Sequence, residues 1–97
     1  MALFMVIERF RGGDPAPVYA RFREKGRQAP EGLTYVSSWV DEELRTCFQV
    51  MEAPGDGEGA RMLLDEWIAR WEDLVEFEVI PVITSSEAAA RVMSRRG

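Results

Sequence analysis

The stretch ARMLLDEWIARWEDLVEFEVIPVI, residues 60–83, decides the fold. Its first half repeats apolar side chains at the spacing of a helix with one buried face. This apolar stripe consists of Ala60, Leu63, Leu64, Trp67, Ile68 and Trp71. Its second half, residues 74–83, predicts a strand, because residues 75–79 alternate apolar with acidic side chains at the period of a half-exposed strand. Because Pro81 cannot donate a hydrogen bond to a neighbouring strand, we expect this strand at the edge of a sheet.

Before this stretch, the N-terminal third predicts a strand and a helix. Residues 3–10 are rich in strand-forming side chains and predict strand one. Asp14 and Pro15 suit the N-cap and the first position of a helix. We expect this helix to end near Gln28, because Pro30 disfavours a helical residue before it.

The middle of the chain and its C-terminus predict a hairpin and a last helix. Residues 33–41 and 44–52 are both strand-like, and only the dipeptide 42–43 need separate them. The sequence Thr-Ser-Ser-Glu at residues 84–87 is a capping box, which opens a helix that we expect to run through Arg95.

The resulting order, β-α-β-β-α-β-α, predicts a single α+β domain over residues 1–97, with a ferredoxin-like βαββαβ fold and an extra C-terminal helix. We expect a four-stranded antiparallel sheet in the strand order 4-1-3-2, with two helices on one face. This order puts strand four at an edge, where Pro81 requires it. Within the sheet we expect strands one and three to be adjacent and, because of the crossover through helix one, parallel.

Composition limits the classes of function. The chain has 97 residues, a net charge of −5 and one cysteine, Cys47, which cannot form an internal disulfide. The apolar stretch at residues 3–7 is too short for a signal-peptide core or a membrane span, so we predict a cytoplasmic protein with no membrane partner. The basic side chains between residues 21 and 27 scatter around a helix, so we interpret them as a solvated face and expect no nucleic-acid partner.

The chain has no histidine, which excludes Ser-His-Asp and Cys-His pairs and removes the commonest metal ligand. One cysteine and no histidine leave no zinc site, and carboxylate-only Mg²⁺ or Ca²⁺ binding is left open, although no EF-hand spacing is present. We predict no metal and no cofactor. Residues 55–60 match G-x-G-x-x-A, but Asp56 and Glu58 would repel a pyrophosphate, so no dinucleotide site is predicted. Glu76 and Glu78 share one strand face, either as a polar row that faces solvent or a dimer partner, or as an acid–base pair.

Three segments resemble a bacterial family of short proteins catalogued only as a domain of unknown function. They are MVIERF at residues 5–10, APEGLTYVSSWVDEELRTCFQVMEA at residues 29–53 and LLDEWIARWEDLVEFEVIPVITSSEAA at residues 63–89. The resemblance implies a dimeric α/β barrel, in the superfamily that includes antibiotic-biosynthesis monooxygenases and muconolactone isomerases. Many relatives carry Trp-His where this chain has Trp39-Val40, so any role of that histidine is absent here. Since this fold hosts many reactions, the resemblance implies a fold and a dimer but no reaction.

A ligand cavity is predicted between the sheet and the helices. A two-residue turn at Glu42-Glu43 sets a hairpin register in which six side chains share the face toward the helices. The facing pairs are Trp39 with Thr46, Ser37 with Phe48, and Tyr35 with Val50. Small hydroxyl side chains between large rings leave space for a ligand. The predicted cavity residues are Tyr35, Ser37, Trp39, Thr46, Trp67 and Trp71, with Tyr19 near the mouth. Alternatively, the Ser37 and Thr46 hydroxyls bond backbone groups or a buried water within a solid core.

The opposite face of the sheet is predicted to be bare and apolar. On it we place Val36, Ser38, Val40, Cys47, Gln49, Met51, Ile80 and Val82. Such a patch is too apolar to stay in water, so we expect two copies to pair as a homodimer. Two hypotheses for the function are a dimer that binds a small, largely apolar ligand between sheet and helices, and a dimer that binds another protein. The resemblance to the superfamily alone implies a third, a cofactor-independent oxygenase or isomerase. The sequence does not decide whether the protein is an enzyme.

Overall fold

The computed structural model describes residues 1–55 and 57–96, so Asp56 of the glycine-rich segment lies outside the described residues. The described chain forms one sheet with three α-helices. In chain order the elements are β1 (Ala2–Phe10), a short 3₁₀ turn (Arg11–Gly13), α1 (Ala16–Lys25), β2 (Thr34–Val40), β3 (Thr46–Ala53), α2 (Glu58–Ala69), β4 (Val75–Val82) and α3 (Ser85–Arg96). No helix in this part of the chain is long and apolar enough to cross a membrane.

The strand order is β2-β3-β1-β4, and every neighbouring pair is antiparallel. The predicted α+β fold, the strand order and the edge position of Pro81 are therefore confirmed. The prediction that strands one and three run parallel is wrong. The crossover through α1 makes β1 and β2 parallel, and the hairpin then reverses the direction of β3, which lies between them.

Local capping explains where two helices begin. The Asp14 carboxylate accepts a hydrogen bond from the backbone N–H of Ala16 (3.0 Å), which supports the predicted N-cap of α1. The Thr84 hydroxyl accepts one from the backbone N–H of Glu87 (3.1 Å), as half of the predicted capping box. Both side chains satisfy backbone donors that the first turn of a helix leaves without partners.

The core lies between one face of the sheet and the apolar stripe of α2. Its largest fully buried side chains are Val6, Met51, Leu64 and Val75. Trp67 and Trp71 join the same cluster, as the helical spacing predicts. Helix α3 is different, because its apolar side chains Val92 and Met93 are 53% and 66% exposed.

The hairpin turn is longer than predicted, and this shifts its register by two residues. The Asp41 carboxylate accepts hydrogen bonds from the backbone N–H groups of Glu43 (3.2 Å), Arg45 (2.8 Å) and Thr46 (2.7 Å) and so organises a turn between β2 and β3. Trp39 consequently pairs with Phe48, not with Thr46.

The face assignment of the hairpin is also wrong. Gln49 and Met51 on β3 are buried against the helices, whereas Trp39 is 58% and Phe48 37% exposed on the opposite face. Because side chains alternate along a strand, the set predicted for the bare face is divided. Ser38, Val40, Cys47, Gln49 and Met51 share the helix-side register, and Ile80 and Val82 take the opposite register. Val36, the remaining member of that set, lies at the register shift between Tyr35 and Ser37.

A bulge between Tyr35 and Ser37 separates these two residues. Tyr35 pairs with Met51 on the helix side, while Ser37 pairs with Val50 on the other side. We call the face opposite the helices the open sheet face. Its apolar members are Leu3, Met5, Ile7, Trp39, Phe48, Val50, Ile80 and Val82.

Candidate functional site

A pocket of about 190 Å³ lies between the sheet and helices α1 and α2. We call it the Glu8 pocket, after its buried carboxyl group. The lining residues are Glu8, Phe10, Val18, Tyr19, Phe22, Arg27, Ser38, Val40, Cys47, Gln49, Trp67 and Trp71. Two wider depressions, of about 380 and 410 Å³, contain no buried ionisable group among the described residues. The Glu8 pocket is therefore the better candidate site, because it combines aromatic walls with a buried acid.

Glu8 is buried because it occupies a core position of β1. It follows Val6 and precedes Phe10 on the helix side of the strand, opposite Cys47 on β3 and Phe77 on β4. The residue is only 8% exposed, and its Oε2 atom has no hydrogen-bond partner among the described residues. A carboxyl group in this position costs stability unless a partner is supplied.

Burial raises the pKa of Glu8 from 4.5 to about 7, and the positive charge of Arg27 opposes this rise. The net effect follows from desolvation, which penalises the charged carboxylate more than the neutral acid. Near neutral pH the group is therefore divided between its two forms. It can donate a proton or accept one without a large energetic cost in either direction.

Arg27 is held in place by helix α2. Its backbone lies between two residues of the left-handed region, Gly26 (φ 72°) and Gln28 (φ 61°). Its carbonyl oxygen accepts hydrogen bonds from the indole N–H groups of both Trp67 (3.0 Å) and Trp71 (2.9 Å). These two bonds fix the loop between α1 and β2 against the helix, so the position of Arg27 depends on the tryptophan pair.

The guanidinium of Arg27 stacks on aromatic rings and has no carboxylate partner. Its central carbon lies 3.7 Å from the ring centroid of Tyr35 and 5.1 Å from that of Phe22. Among residues 1–55 and 57–96, no ion pair involves Arg27. The rings hold the cation through cation–π contacts and leave its donors free for a ligand.

The other polar groups of the pocket are neutral. Burial, with the nearby Glu8 as a second cause, raises the pKa of Cys47 to about 12. The pKa of Tyr19 is also raised, first by burial. Cys47 is therefore a thiol at neutral pH and a poor nucleophile, since the thiolate is the reactive form. The Gln49 amide reaches only the sulfur of Met51 (3.4 Å), a weak acceptor.

The predicted cavity residues divide into two groups. Tyr19, Trp67 and Trp71 line the pocket, and the ring of Tyr35 borders it through Arg27. Ser37, Trp39 and Thr46 take the register of the open sheet face, so the prediction that they face the helices is wrong. The shifted hairpin register does not explain the wrong face, because a shift of two residues leaves every side chain on the same side of its strand. The error arose because Phe48 and Val50 are as apolar as the β3 residues that are buried.

Sequence reasoning missed Glu8 and Arg27. Glu8 has a signal in the sequence, because it interrupts the alternating apolar set Phe4, Val6 and Phe10 on strand one. Arg27 has no such signal, since its position depends on two hydrogen bonds from a distant helix. The Glu76–Glu78 pair is exposed on β4, and Glu78 forms an ion pair with Arg9 (3.0 Å).

We expect the two tryptophans to be coupled through the Arg27 carbonyl. Trp67→Phe or Trp71→Phe removes one of two donors and is expected to lower the free energy of unfolding by about 1–2 kcal/mol. The double variant leaves the Arg27 carbonyl without either donor. Its loss of unfolding free energy should therefore exceed the summed losses of the two single variants by about 1 kcal/mol. Urea unfolding of the four proteins checks this. Strict additivity would show that the carbonyl is not shared.

No group of three or more Cys, Asp or Glu side chains in the described part of the chain is arranged to hold a metal ion. The chemistry that the pocket itself offers is proton exchange at Glu8, beside a cation and between aromatic walls.

In comparison with known protein families, the model of a domain of unknown function (DUF3303) matches residues 2–96. No curated protein and no solved structure matches the chain. Because the family model covers nearly the whole sequence, the chain belongs to the DUF3303 family.

Proposed function

We propose that this protein binds a small, largely apolar ligand in the Glu8 pocket. The observation that supports this most strongly is the Oε2 atom of Glu8, which is buried without a partner in a pocket that has space beside it. An unpartnered buried carboxyl group is costly, and proteins keep such groups mainly at functional sites. A ligand that hydrogen-bonds to this oxygen would offset the cost.

The lining of the pocket defines the class of ligand. Most of its walls are rings and aliphatic side chains, which favours an apolar skeleton. A volume of about 190 Å³ suits one or two rings, well below the size of most cofactors. Glu8 and Arg27 together favour a ligand that carries an oxygen substituent, such as a hydroxyl or carbonyl group.

We expect 2-naphthol, a two-ring phenol, to bind with quenching or shifting of tryptophan fluorescence, because Trp67 and Trp71 line the pocket. Glu8→Gln should weaken binding about tenfold, since it alters the group that contacts the hydroxyl. Cys47→Leu, which fills the pocket, should abolish binding. Glu42→Gln is the matched control, because Glu42 is exposed in the hairpin turn, away from the open sheet face. Equal affinity of all four proteins, or no binding to the wild type by calorimetry, would contradict the proposal.

We further propose that the protein is a homodimer with the architecture of a dimeric α/β barrel. The open sheet face supports this, because it joins apolar side chains of all four strands in one surface. The exposed apolar side chains of α3 support it as well. Cytoplasmic location and bacterial origin stay predictions from the sequence.

Of the alternatives, an isomerase is favoured by one observation, the buried acid that titrates near neutral pH. A protein-binding dimer would leave the Glu8 pocket without a role. Catalytic turnover distinguishes an isomerase from a binding protein.

A further inference from the structure

Two groups of opposite character meet in the Glu8 pocket. Glu8 is a buried carboxyl group with a free oxygen atom, and Arg27 is a cation without an ion-pair partner among the described residues. They do not neutralise each other through a direct ion pair. Such an arrangement suits a reaction in which the carboxylate takes a proton while negative charge develops on a ligand atom near the cation.

We propose that the Glu8 pocket catalyses proton transfer at a carbon next to the carbonyl group of an apolar ketone, with Glu8 as the base and Arg27 as the group that stabilises the enolate. This inference rests on the proposed binding function and names its substrate class, enolisable cyclic ketones. It assigns catalytic roles to two residues.

The step balances without a co-reactant. The Glu8 carboxylate removes the proton, so the C–H bond breaks, an O–H bond forms on Glu8, and the electron pair of the C–H bond enters the enolate. The negative charge then lies largely on the carbonyl oxygen, where the Arg27 guanidinium stabilises it. Glu8, whose O–H group can first exchange its hydrogen with solvent water, then delivers a proton either to the same carbon or, if a C=C bond adjoins, to the far carbon of the conjugated system. The second outcome is an isomerisation.

Among the described side chains that line the pocket, Glu8 alone changes its protonation state in the neutral range. Tyr19 on α1 and Cys47 on β3 both have raised pKa values and stay neutral. The remaining side chains around Glu8 carry no charge. They are Trp67 on α2, Trp71 just after the end of α2, Ser38 on β2 and Phe77 on β4. Arg27 supplies the constant positive charge. Catalysis requires ionised Glu8, so we expect the rate to rise with pH through about 7 and then level off.

The test is hydrogen–deuterium exchange at the carbon between the ring and the carbonyl of 2-tetralone, followed by proton NMR in D₂O. Wild-type protein should accelerate this exchange saturably, and 2-naphthol, which resembles the enol, should inhibit it. At saturating ketone, Glu8→Gln should lower the catalysed rate about 100-fold. Arg27→Met keeps the backbone carbonyl that holds the tryptophans and should also lower the rate about 100-fold. Glu42→Gln should exchange like the wild type.

The outcomes separate this inference from the binding proposal. If 2-tetralone competes with 2-naphthol but its exchange equals that in buffer, the protein binds such ligands and the catalytic inference is wrong. The inference is also wrong if Glu8→Gln retains the wild-type rate, or if the rate shows no pH dependence near neutrality. If neither probe binds, the binding proposal fails and the catalytic inference fails with it.

Discussion

Glu8→Gln is expected to raise the free energy of unfolding at pH 8 by about 3 kcal/mol. The rise of the Glu8 pKa from 4.5 to about 7 corresponds to that difference, at about 1.4 kcal/mol for each pKa unit. At pH 8 the wild-type carboxylate is charged and buried, whereas glutamine has nearly the same shape and no charge. A site residue that lowers stability in this way is common where function requires a buried ionisable group.

The pH dependence follows from the direction of the shift. A raised carboxyl pKa means that the folded state holds a proton between pH 4.5 and about 7, where the unfolded state has released it. The contribution of Glu8 to stability is therefore greatest below pH 4.5, declines as pH rises through this window, and is lost above about 7. In Glu8→Gln this decline should be absent, so the two proteins converge in stability near pH 4.5.

Urea unfolding at pH 5, 6, 7 and 8 measures the effect, and all proteins must be compared at one concentration because a dimer's stability depends on it. Glu42→Gln removes an exposed carboxyl group from the hairpin turn and should follow the wild-type curve. A stability difference between Glu8→Gln and the wild type that does not vary with pH would show that Glu8 is not titrating in this range.

Phe48→Arg is expected to convert the proposed homodimer into a monomer. Phe48 lies near the middle of the open sheet face, between Ile7 on β1 and Trp39 on β2. In a symmetric dimer the substitution places two charges in one apolar interface. The dissociation constant of the dimer should therefore increase at least about 100-fold. The change faces away from the core, so the monomer should stay folded by circular dichroism.

Light scattering coupled to gel filtration at micromolar concentration provides the measurement. Wild-type protein should have twice the 11.0 kDa mass of the chain, and Phe48→Arg should have the mass of one chain. Glu42→Arg is the matched control, because it changes charge in the hairpin turn, away from the sheet face. A wild-type mass of one chain would contradict the homodimer. A Phe48→Arg variant with the mass of two chains would show that the open sheet face is not the dimer interface.

The fold was predictable from the sequence because its signals are local. The apolar stripe of residues 60–71, the alternation of residues 75–79 and the position of Pro81 each depend on neighbours along the chain. The sheet face of the hairpin was not predictable, because Phe48 and Val50 are as apolar as Cys47 and Met51. Only tertiary packing, with Gln49 buried and Phe48 partly exposed, distinguishes the two faces.

The candidate site was predicted only in part, for a related reason. Trp67 and Trp71 were identified by their helical spacing, but their hydrogen bonds to the Arg27 carbonyl join residues forty or more positions apart. Glu8 was readable in principle as a charge on the apolar side of strand one. Its consequence, a carboxyl pKa near neutrality, depends on the burial that the folded chain imposes.

Glu8 is a buried acid that exchanges its proton near neutral pH in a ring-lined pocket, beside the positive charge of Arg27. The most direct measurement is a ¹³C NMR titration of the side-chain carboxyl carbons of the glutamate residues, with Glu8 assigned by its absence in Glu8→Gln. We predict that the Glu8 signal titrates with a midpoint of about 7. A midpoint near 4.5, the ordinary value for glutamate, would show that the carboxyl group is solvated and would contradict the account.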